Sequence, residues 1–140
     1  MVITPVLFIG PVRAGKSTLA HLVAEKLNLS HISLDETRWK YYREVGYDDH
    51  LAERIRADGG FLAMMFYRML FDVYSVERVL REYPNAVIDF GAGIGPLENH
   101  TQLKRIQALF EPIPNIFYYC PHRTSKKLCK SSPSVIMIHQ

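Results

Sequence analysis

Two glycines, a lysine and a serine near the start of the chain have a spacing that suits a phosphate site. Gly10, Gly15, Lys16 and Ser17 form the pattern G-x-x-x-x-G-K-S. The glycines allow the backbone to curl so that successive N–H groups point at an anion. The lysine would bring a mobile positive charge to the β- and γ-phosphates, and the serine hydroxyl would ligate Mg²⁺. The pattern therefore predicts binding of a nucleoside triphosphate, with ATP and Mg²⁺ expected.

The surrounding sequence supports this interpretation. Residues 2–9 form an apolar, largely β-branched run that predicts a buried strand, and residues 16–27 predict an amphipathic helix. Strand, glycine loop and helix N-terminus together make the P-loop, or Walker A motif. The alternative is a chance glycine turn before a helix. The predicted phosphate-binding residues are Gly10, Pro11, Val12, Arg13, Ala14, Gly15, Lys16, Ser17 and Thr18.

Two aspartates are candidates for a role beside the metal ion. Asp35 closes a short predicted strand over residues 31–34, and Asp89 lies in a buried run over residues 86–90. The carboxyl ends of parallel strands open onto the ligand in such sheets, so either acid could hold a magnesium-bound water or accept a proton. We predict Ser17, Asp35 and Asp89 as metal-site residues. The alternatives are a helix N-cap for Asp35 and a structural carboxylate for Asp89.

The predicted elements alternate between strand and helix, which favours a three-layer α/β fold with a parallel sheet between helices. Helical segments are expected at 36–42 and 51–57, with Asp48 or Asp49 as the cap of the second. A longer helix should run from about Gly60 to before Pro84. A helix over about 99–110 and a strand over 115–120 follow. Residues 134–139 could form a fifth edge strand or a disordered end, and we expect the strand.

The apolar residues of the long helix recur every three or four positions, as in a helix with one buried face. This stripe predicts core or a partner surface. Its members are Leu62, Phe66, Met69, Val73, Val76 and Leu80.

Length and composition predict one domain over residues 1–140, since the 140 residues are 48% hydrophobic and 22% charged. Residues 1–119 hold 13 basic and 14 acidic side chains, so the net charge of +3 comes from a basic tail over residues 121–140. Because the excess positive charge is confined to this short tail, which is usually a solvated end, nucleic-acid binding is not expected. No apolar run is long enough to span a membrane, and Cys120 and Cys129 are expected to be reduced thiols, so we predict a cytoplasmic protein.

Over residues 2–119 the chain resembles the shikimate kinase-like branch of the small P-loop kinases. The resemblance rests on the P-loop, on Asp35 after the second strand, on Arg68 in the long helix and on Gly91-Ala92-Gly93 after the third strand. It implies a parallel sheet of order 2-3-1-4, extended to 5, with a mobile lid. It also implies transfer of the γ-phosphoryl group of ATP to a hydroxyl of a small, acidic acceptor.

The resemblance carries residue roles with it. Lys16 and Asp35 would be the catalytic residues. The acceptor would be held by Asp35, Arg68, Gly91 and Gly93, and Arg38 is a further candidate because it follows Asp35 closely in the sequence. The chain departs from the family at Thr37, which stands where a second aspartate is typical, and at Ala92, which interrupts a three-glycine turn.

Two further hypotheses concern the acceptor and the lid. Trp39, Tyr41, Tyr42 and Tyr47 could line an acceptor pocket with Arg38 and Arg43, or could simply pack a helix onto the sheet. After Tyr119 only 21 residues remain, and Arg123 does not lie in a setting typical of the family lid. A truncated or altered C-terminus is therefore one hypothesis. It favours a competing function, a nucleotide-binding protein or NTPase that has no phosphoryl acceptor.

Overall fold

Short apolar runs alternate with amphipathic stretches along the chain, and they form alternating strands and helices. The computed structural model describes residues 4–10, 15–91, 100–120 and 135–139. The strands in these ranges are β1 (Val6–Ile9), β2 (Ser30–Ser33), β3 (Ala86–Asp89), β4 (Asn115–Cys120) and β5 (Val135–His139). The helices are α1 (Lys16–Leu27), α2 (Leu34–Glu44), α3 (Asp49–Glu82) and α4 (His100–Phe110).

All strand pairs are parallel, and the sheet has the order β2-β3-β1-β4-β5. The central strand β1 pairs with β3, with Phe8 opposite Asp89, and with β4 on its other side. The strand predicted at 134–139 is present as β5 over the described residues Val135–His139, and it pairs with β4. The predicted fold class and strand order are therefore confirmed, including the fifth strand.

Alternate residues of β1 point to opposite faces of the sheet, and each face is covered by helices. Val6 and Phe8 pack with Ala20 and Ala24 of α1. Leu7 belongs to the larger core on the other face. That core brings together α3, α4 and the start of α2 through residues such as Leu34, Val73, Val76, Val79 and Ile106. This is the predicted three-layer arrangement.

The boundary between β2 and α2 lies earlier than the sequence predicts. The strand was expected at residues 31–34, ending in Asp35, but β2 ends at Ser33 and Leu34 begins α2. Ser33 keeps an extended backbone as the N-cap, and the Thr37 hydroxyl donates to the Ser33 carbonyl at 3.0 Å. Leu34 is buried in the core as the first residue of α2. Asp35 therefore lies in the first turn of that helix.

The long helical region of α3 consists of two stretches that meet at a glycine. Gly60 has φ 82° and ψ −176°, a conformation that ends a helix and that glycine adopts without steric cost. The Asp48 carboxylate caps the first stretch by accepting hydrogen bonds from the backbone N–H groups of His50 and Leu51, at 2.8 and 3.1 Å. The predicted cap and the predicted start of the longer helix near Gly60 are both confirmed.

The apolar stripe of α3 divides into a buried and an exposed part. Met69, Val73 and Val76 are buried, whereas Leu62 is 63% exposed and Phe66 is 47% exposed. Only the C-terminal part of the predicted stripe therefore forms core. None of the helices in the described ranges has the length and apolar content needed to cross a bilayer.

An aromatic cluster joins α2 to α3. Tyr42 and Tyr47 pack against Phe71, with ring centroids 5.7 and 5.3 Å from its own, and Trp39 and Tyr67 complete the cluster. Of the two interpretations of the aromatic residues, packing therefore accounts for Tyr42 and Tyr47.

The Tyr42 hydroxyl is buried within this contact and donates a hydrogen bond to the Asp72 carboxylate. Burial, followed by the negative charge of Asp72, raises the pKa of Tyr42 well above its ordinary value. The phenol therefore remains protonated, and able to donate this hydrogen bond, well above the neutral pH range.

We expect Tyr42→Phe to lower the free energy of unfolding by about 1–3 kcal/mol, because it leaves a buried carboxylate without one of its donors. Urea unfolding followed by circular dichroism measures this change. Tyr74→Phe is the matched control. It also removes a hydroxyl that donates to a carboxylate, that of Glu44 at 2.8 Å, but this hydrogen bond is exposed. A change of less than about 0.5 kcal/mol is expected there, and equal losses in the two variants would contradict the prediction.

Candidate phosphate and acceptor site

The carboxyl ends of β1 and β3 lie side by side and open onto the N-terminus of α1. The Phe90 backbone N–H donates to the Phe8 carbonyl at 3.0 Å, which extends the pairing to the last residues of both strands. Gly10 follows β1 with φ 148°, and Gly15 precedes α1 with φ 84°. Two of the predicted phosphate-loop glycines thus adopt backbone conformations that favour glycine.

Residues at the start of α1 bring the predicted phosphate-binding groups to this edge. Gly15 is the N-cap of α1, so the first N–H groups of the helix and its positive dipole end face the loop. Lys16, Ser17 and Thr18 form the first turn. Four further residues that the sequence predicts for phosphate binding lie outside the described residues: Pro11, Val12, Arg13 and Ala14.

The Asp89 carboxylate connects the sheet to the start of α1. Its side chain is fully buried, and one oxygen accepts the Gly91 backbone N–H at 2.9 Å. The other oxygen accepts the hydroxyl of Ser17. The prediction that Ser17 and Asp89 serve one metal site requires them to be close, and they are in direct contact.

His31 also lies beside Asp89, a feature that the sequence prediction missed. Its Nε2 atom is 3.9 Å from Asp89 Oδ2, because Ser33 on the same strand pairs with Asp89 across the sheet. A lone histidine two residues before a strand end gives no sequence signal for this placement.

Lys16 has the electrostatic surroundings of a phosphate-binding lysine. Its side chain is only 4% exposed. Burial lowers the pKa of Lys16, and the negative charges of Asp89 and Asp35 act in the opposite direction. Lys16 is the first residue of α1 and is followed by Ser17, so it lies at the end of the helix that meets Asp89.

Asp35 reaches this edge from the first turn of α2. Its carboxylate lies directly against Gly91, so that a Cβ atom at position 91 would overlap the carboxylate atoms. Gly91 also has φ 58°, which favours glycine. Asp35 and Gly91, both predicted to bind the acceptor, are therefore neighbours, and the space between them is too small for any side chain at position 91. Gly93, predicted with them, lies outside the described residues.

Arg38 is buried and contacts groups of the protein, unlike an arginine that is exposed to bind an anion. It is 3% exposed and donates to Asp35 Oδ1 at 2.5 Å. Its Nε donates to the Leu34 carbonyl at 3.4 Å, and its other guanidinium nitrogen lies 4.0 Å from the Asp72 carboxylate. Arg38 thus lies between two carboxylates of the protein. Arg43, its companion in the acceptor-pocket hypothesis, is exposed and pairs with Asp49 at 3.3 Å.

Arg68 lies where α3 packs on α2. Its guanidinium lies over the Trp39 ring, 4.8 Å from the centroid. Its Nε atom is buried and has no hydrogen-bond acceptor among the described residues. Of the two predicted acceptor arginines, Arg38 is therefore engaged by carboxylates of the protein, whereas Arg68 has an Nε donor without an acceptor among the described residues.

Asp72 is a second residue that sequence reasoning missed. It is buried in α3 and contacts both Arg38 and Tyr42. The sequence does contain a signal for Asp72, because it is an acidic residue between Met69 and Val73 on the apolar face of a predicted helix. A charged residue in that position requires a buried partner.

Comparisons with known proteins identify the fold. No protein-family model and no curated protein matches the chain. The solved shikimate kinase of Bacteroides thetaiotaomicron is similar at 20% identity and a TM-score of 0.51, over 84% of this chain and 57% of that one. The shikimate kinase of Aquifex aeolicus is also 20% identical, over 91% of this chain and 72% of that one, with a TM-score of 0.48. The chain thus spans 57% of the length of the Bacteroides enzyme. The predicted P-loop kinase-like fold is confirmed.

The contact between Asp35 and Gly91 leads to a stability prediction. We expect Gly91→Ala to lower the free energy of unfolding by about 1–2 kcal/mol for the left-handed backbone, and by about 1–3 kcal/mol more for the overlap with Asp35. Gly46→Ala is the matched control, because Gly46 has φ 89° and open space around a Cβ atom. Urea unfolding of both variants separates the steric contribution.

The same substitutions made in an Asp35→Ala variant test whether the Asp35 carboxylate causes the steric cost. In an Asp35→Ala chain, Gly91→Ala should cost no more than Gly46→Ala, since the overlapping group is gone. An excess that persists without the Asp35 carboxylate would show that another contact confines Gly91, and would contradict the proposed packing.

Proposed function

We propose that this chain binds ATP with Mg²⁺ and transfers the γ-phosphoryl group to a hydroxyl of a small, acidic acceptor. The observation that supports this most directly is the meeting of three groups at one edge of the sheet. These are Lys16 at the start of α1, the Ser17–Asp89 contact beside it, and the Asp35 carboxylate against Gly91. A charge for phosphates, a pair of oxygens for a metal and a carboxylate for a hydroxyl are what phosphoryl transfer requires.

The phosphate half of the proposal assigns the roles of α1 and the loop before it. The N–H groups at the start of α1 and the Lys16 ammonium would bind the phosphates and stabilise the charge on the transferring group. Ser17 and Asp89 fit Mg²⁺, since both carry hard oxygen atoms and are in direct contact. When bound, Mg²⁺ would neutralise phosphate charge, with Asp89 acting through a metal-bound water.

The acceptor half assigns Asp35 and Arg68. Asp35 would orient the acceptor hydroxyl and take its proton as the new oxygen–phosphorus bond forms and the bond to the departing ADP oxygen breaks. Arg68 would pair with the acidic group of the acceptor, using the guanidinium that lies over Trp39. Gly91, which has no side chain, would let the Asp35 carboxylate lie directly against the end of β3.

A second function is favoured by two observations. Thr37 stands where the related kinases typically have an acid, and its hydroxyl is used within the protein, on the Ser33 carbonyl. Arg38, expected at the acceptor, is engaged by Asp35 and Asp72. Both fit a nucleotide-binding protein or NTPase that transfers phosphate to water and has no other acceptor.

Product analysis separates these functions. Incubation with ATP, Mg²⁺ and a panel of hydroxy acids and nucleosides should yield ADP together with a phosphorylated panel compound. Release of inorganic phosphate that no panel compound accelerates would favour the NTPase instead.

The role of Lys16 is tested by Lys16→Ala, which we expect to lower ATP turnover at least about 100-fold because the charge that stabilises the transferring phosphoryl group is lost. ADP formation measured by a coupled assay gives this rate. Lys26→Ala, at the exposed C-terminal end of the same helix, should leave turnover within about twofold. Turnover retained in Lys16→Ala would remove the basis for the mechanism.

A further inference from the structure

Four polar side chains contact one another in series, from the interior of the protein to the edge of the sheet where the phosphate site is proposed. We call them the Arg38 cluster: Tyr42, Asp72, Arg38 and Asp35. The Tyr42 hydroxyl donates to Asp72, the Arg38 guanidinium lies 4.0 Å from Asp72, and Arg38 donates to Asp35 at 2.5 Å. Tyr42, Asp72 and Arg38 are buried, whereas the Asp35 side chain is 52% exposed.

The inner contacts of the cluster fix the guanidinium. Asp72 is buried and comes from α3, whereas Arg38 and Tyr42 come from α2, so the contacts tie the two helices together. The Leu34 carbonyl accepts from Arg38 Nε and sets the orientation of the guanidinium plane. A guanidinium held in this way presents its remaining N–H donors in a fixed direction.

The outer contact of the cluster fixes Asp35. Its Oδ1 atom accepts from Arg38, and its carboxylate is in turn confined by the Cα of Gly91. Gly91 also donates its N–H to Asp89, which contacts Ser17, so this carboxylate lies at the edge of the sheet where the phosphate site is proposed. Asp35 is therefore held on one side by Arg38 and on the other by the end of β3.

Stability alone is a poor explanation for this arrangement. Buried ion pairs lose most of their Coulombic gain to desolvation, and apolar residues of similar size often stabilise a protein as well or better. A carboxylate that must be held in one orientation gains more from a fixed guanidinium, because reactive groups work best when neighbouring residues hold them in place.

We infer that Arg38 is a positioning residue that holds the Asp35 carboxylate against Gly91, and that it is not a ligand for the acceptor. This inference rests on the proposed function for its catalytic consequence, since it is there that Asp35 meets the acceptor hydroxyl. Its structural content, the placement of Asp35 by Arg38, is independent of any activity.

The structural test uses crystal structures of the wild-type chain, Arg38→Met, Arg38→Lys and Asp72→Asn. Arg38→Met should release the Asp35 carboxylate from Gly91, and Arg38→Lys should retain it in part. Asp72→Asn preserves the size of the side chain and weakens the hold on Arg38, so it tests the same idea if Arg38→Met does not fold. Arg105→Met is the matched control, since it removes an arginine that also pairs with a carboxylate at 2.5 Å, but on the surface of α4.

The kinetic test uses the panel compound that is phosphorylated fastest. Arg38→Met should lower kcat by about 100-fold, the effect of misplacing a reacting group by about 1 Å, with the KM for that compound changed less than about threefold. Asp35→Asn should lower kcat by a similar factor. The double variant should be no slower than the slower single variant, because the two residues act as a unit. Arg38→Lys should recover part of the loss.

Two results would overturn the inference. One is an Asp35 carboxylate that remains against Gly91 in both Arg38→Met and Asp72→Asn. The other is a rise in the KM for the acceptor with kcat unchanged, which would make Arg38 a ligand for the acceptor. Failure of the proposed function is distinguishable from both. In that case no panel compound is phosphorylated, while the displacement of Asp35 in Arg38→Met still supports the placement by Arg38.

Discussion

The fold and the candidate site both depend on a carboxylate buried at the end of β3. Asp89 has no exposure to water, so the protein must provide its hydrogen-bond partners. It does so with the Gly91 N–H, which fixes the turn after the strand, and with the Ser17 hydroxyl, which fixes the start of α1. The hydrogen bonds to Asp89 therefore align the end of β3, the turn after it and the N-terminus of α1. These are the parts that form the proposed phosphate site.

The turn after β3 links this phosphate half to the acceptor half. The backbone of Gly91 satisfies Asp89 through its N–H, and its Cα lies against Asp35. Position 91 can serve both carboxylates only because glycine has no side chain and tolerates φ 58°. Asp35, in turn, requires Arg38, and Arg38 requires Asp72 from a different helix. The position of one proposed catalytic carboxylate thus depends on how α2 and α3 pack.

Much of the fold was predictable because it follows from local patterns. The apolar run that forms β1 and the Asp48 cap are properties of a few neighbouring residues, and both lie where they were expected. Two features were misplaced because they depend on tertiary contacts. Leu34 was predicted to end the second strand, but it is the first residue of α2 and is buried in the core. Leu62 and Phe66 continue the stripe of Met69 and Val73, but they extend past the part of α3 that the core covers.

The two halves of the site differed in how far sequence could locate them, and the reason is chemical. Phosphates are bound largely by backbone N–H groups and a helix terminus, and a glycine pattern specifies that geometry locally. An acceptor is bound by side chains, and an arginine gives no sign in sequence of whether it will meet a ligand or a carboxylate of its own protein. Arg38 and Arg68 carry the same charge, yet Asp35 and Asp72 engage the first, while the second lies over Trp39 with a donor unused among the described residues. The specificity of the proposed transfer is therefore decided by the packing of α2 on α3 rather than by the motif that identifies the nucleotide site.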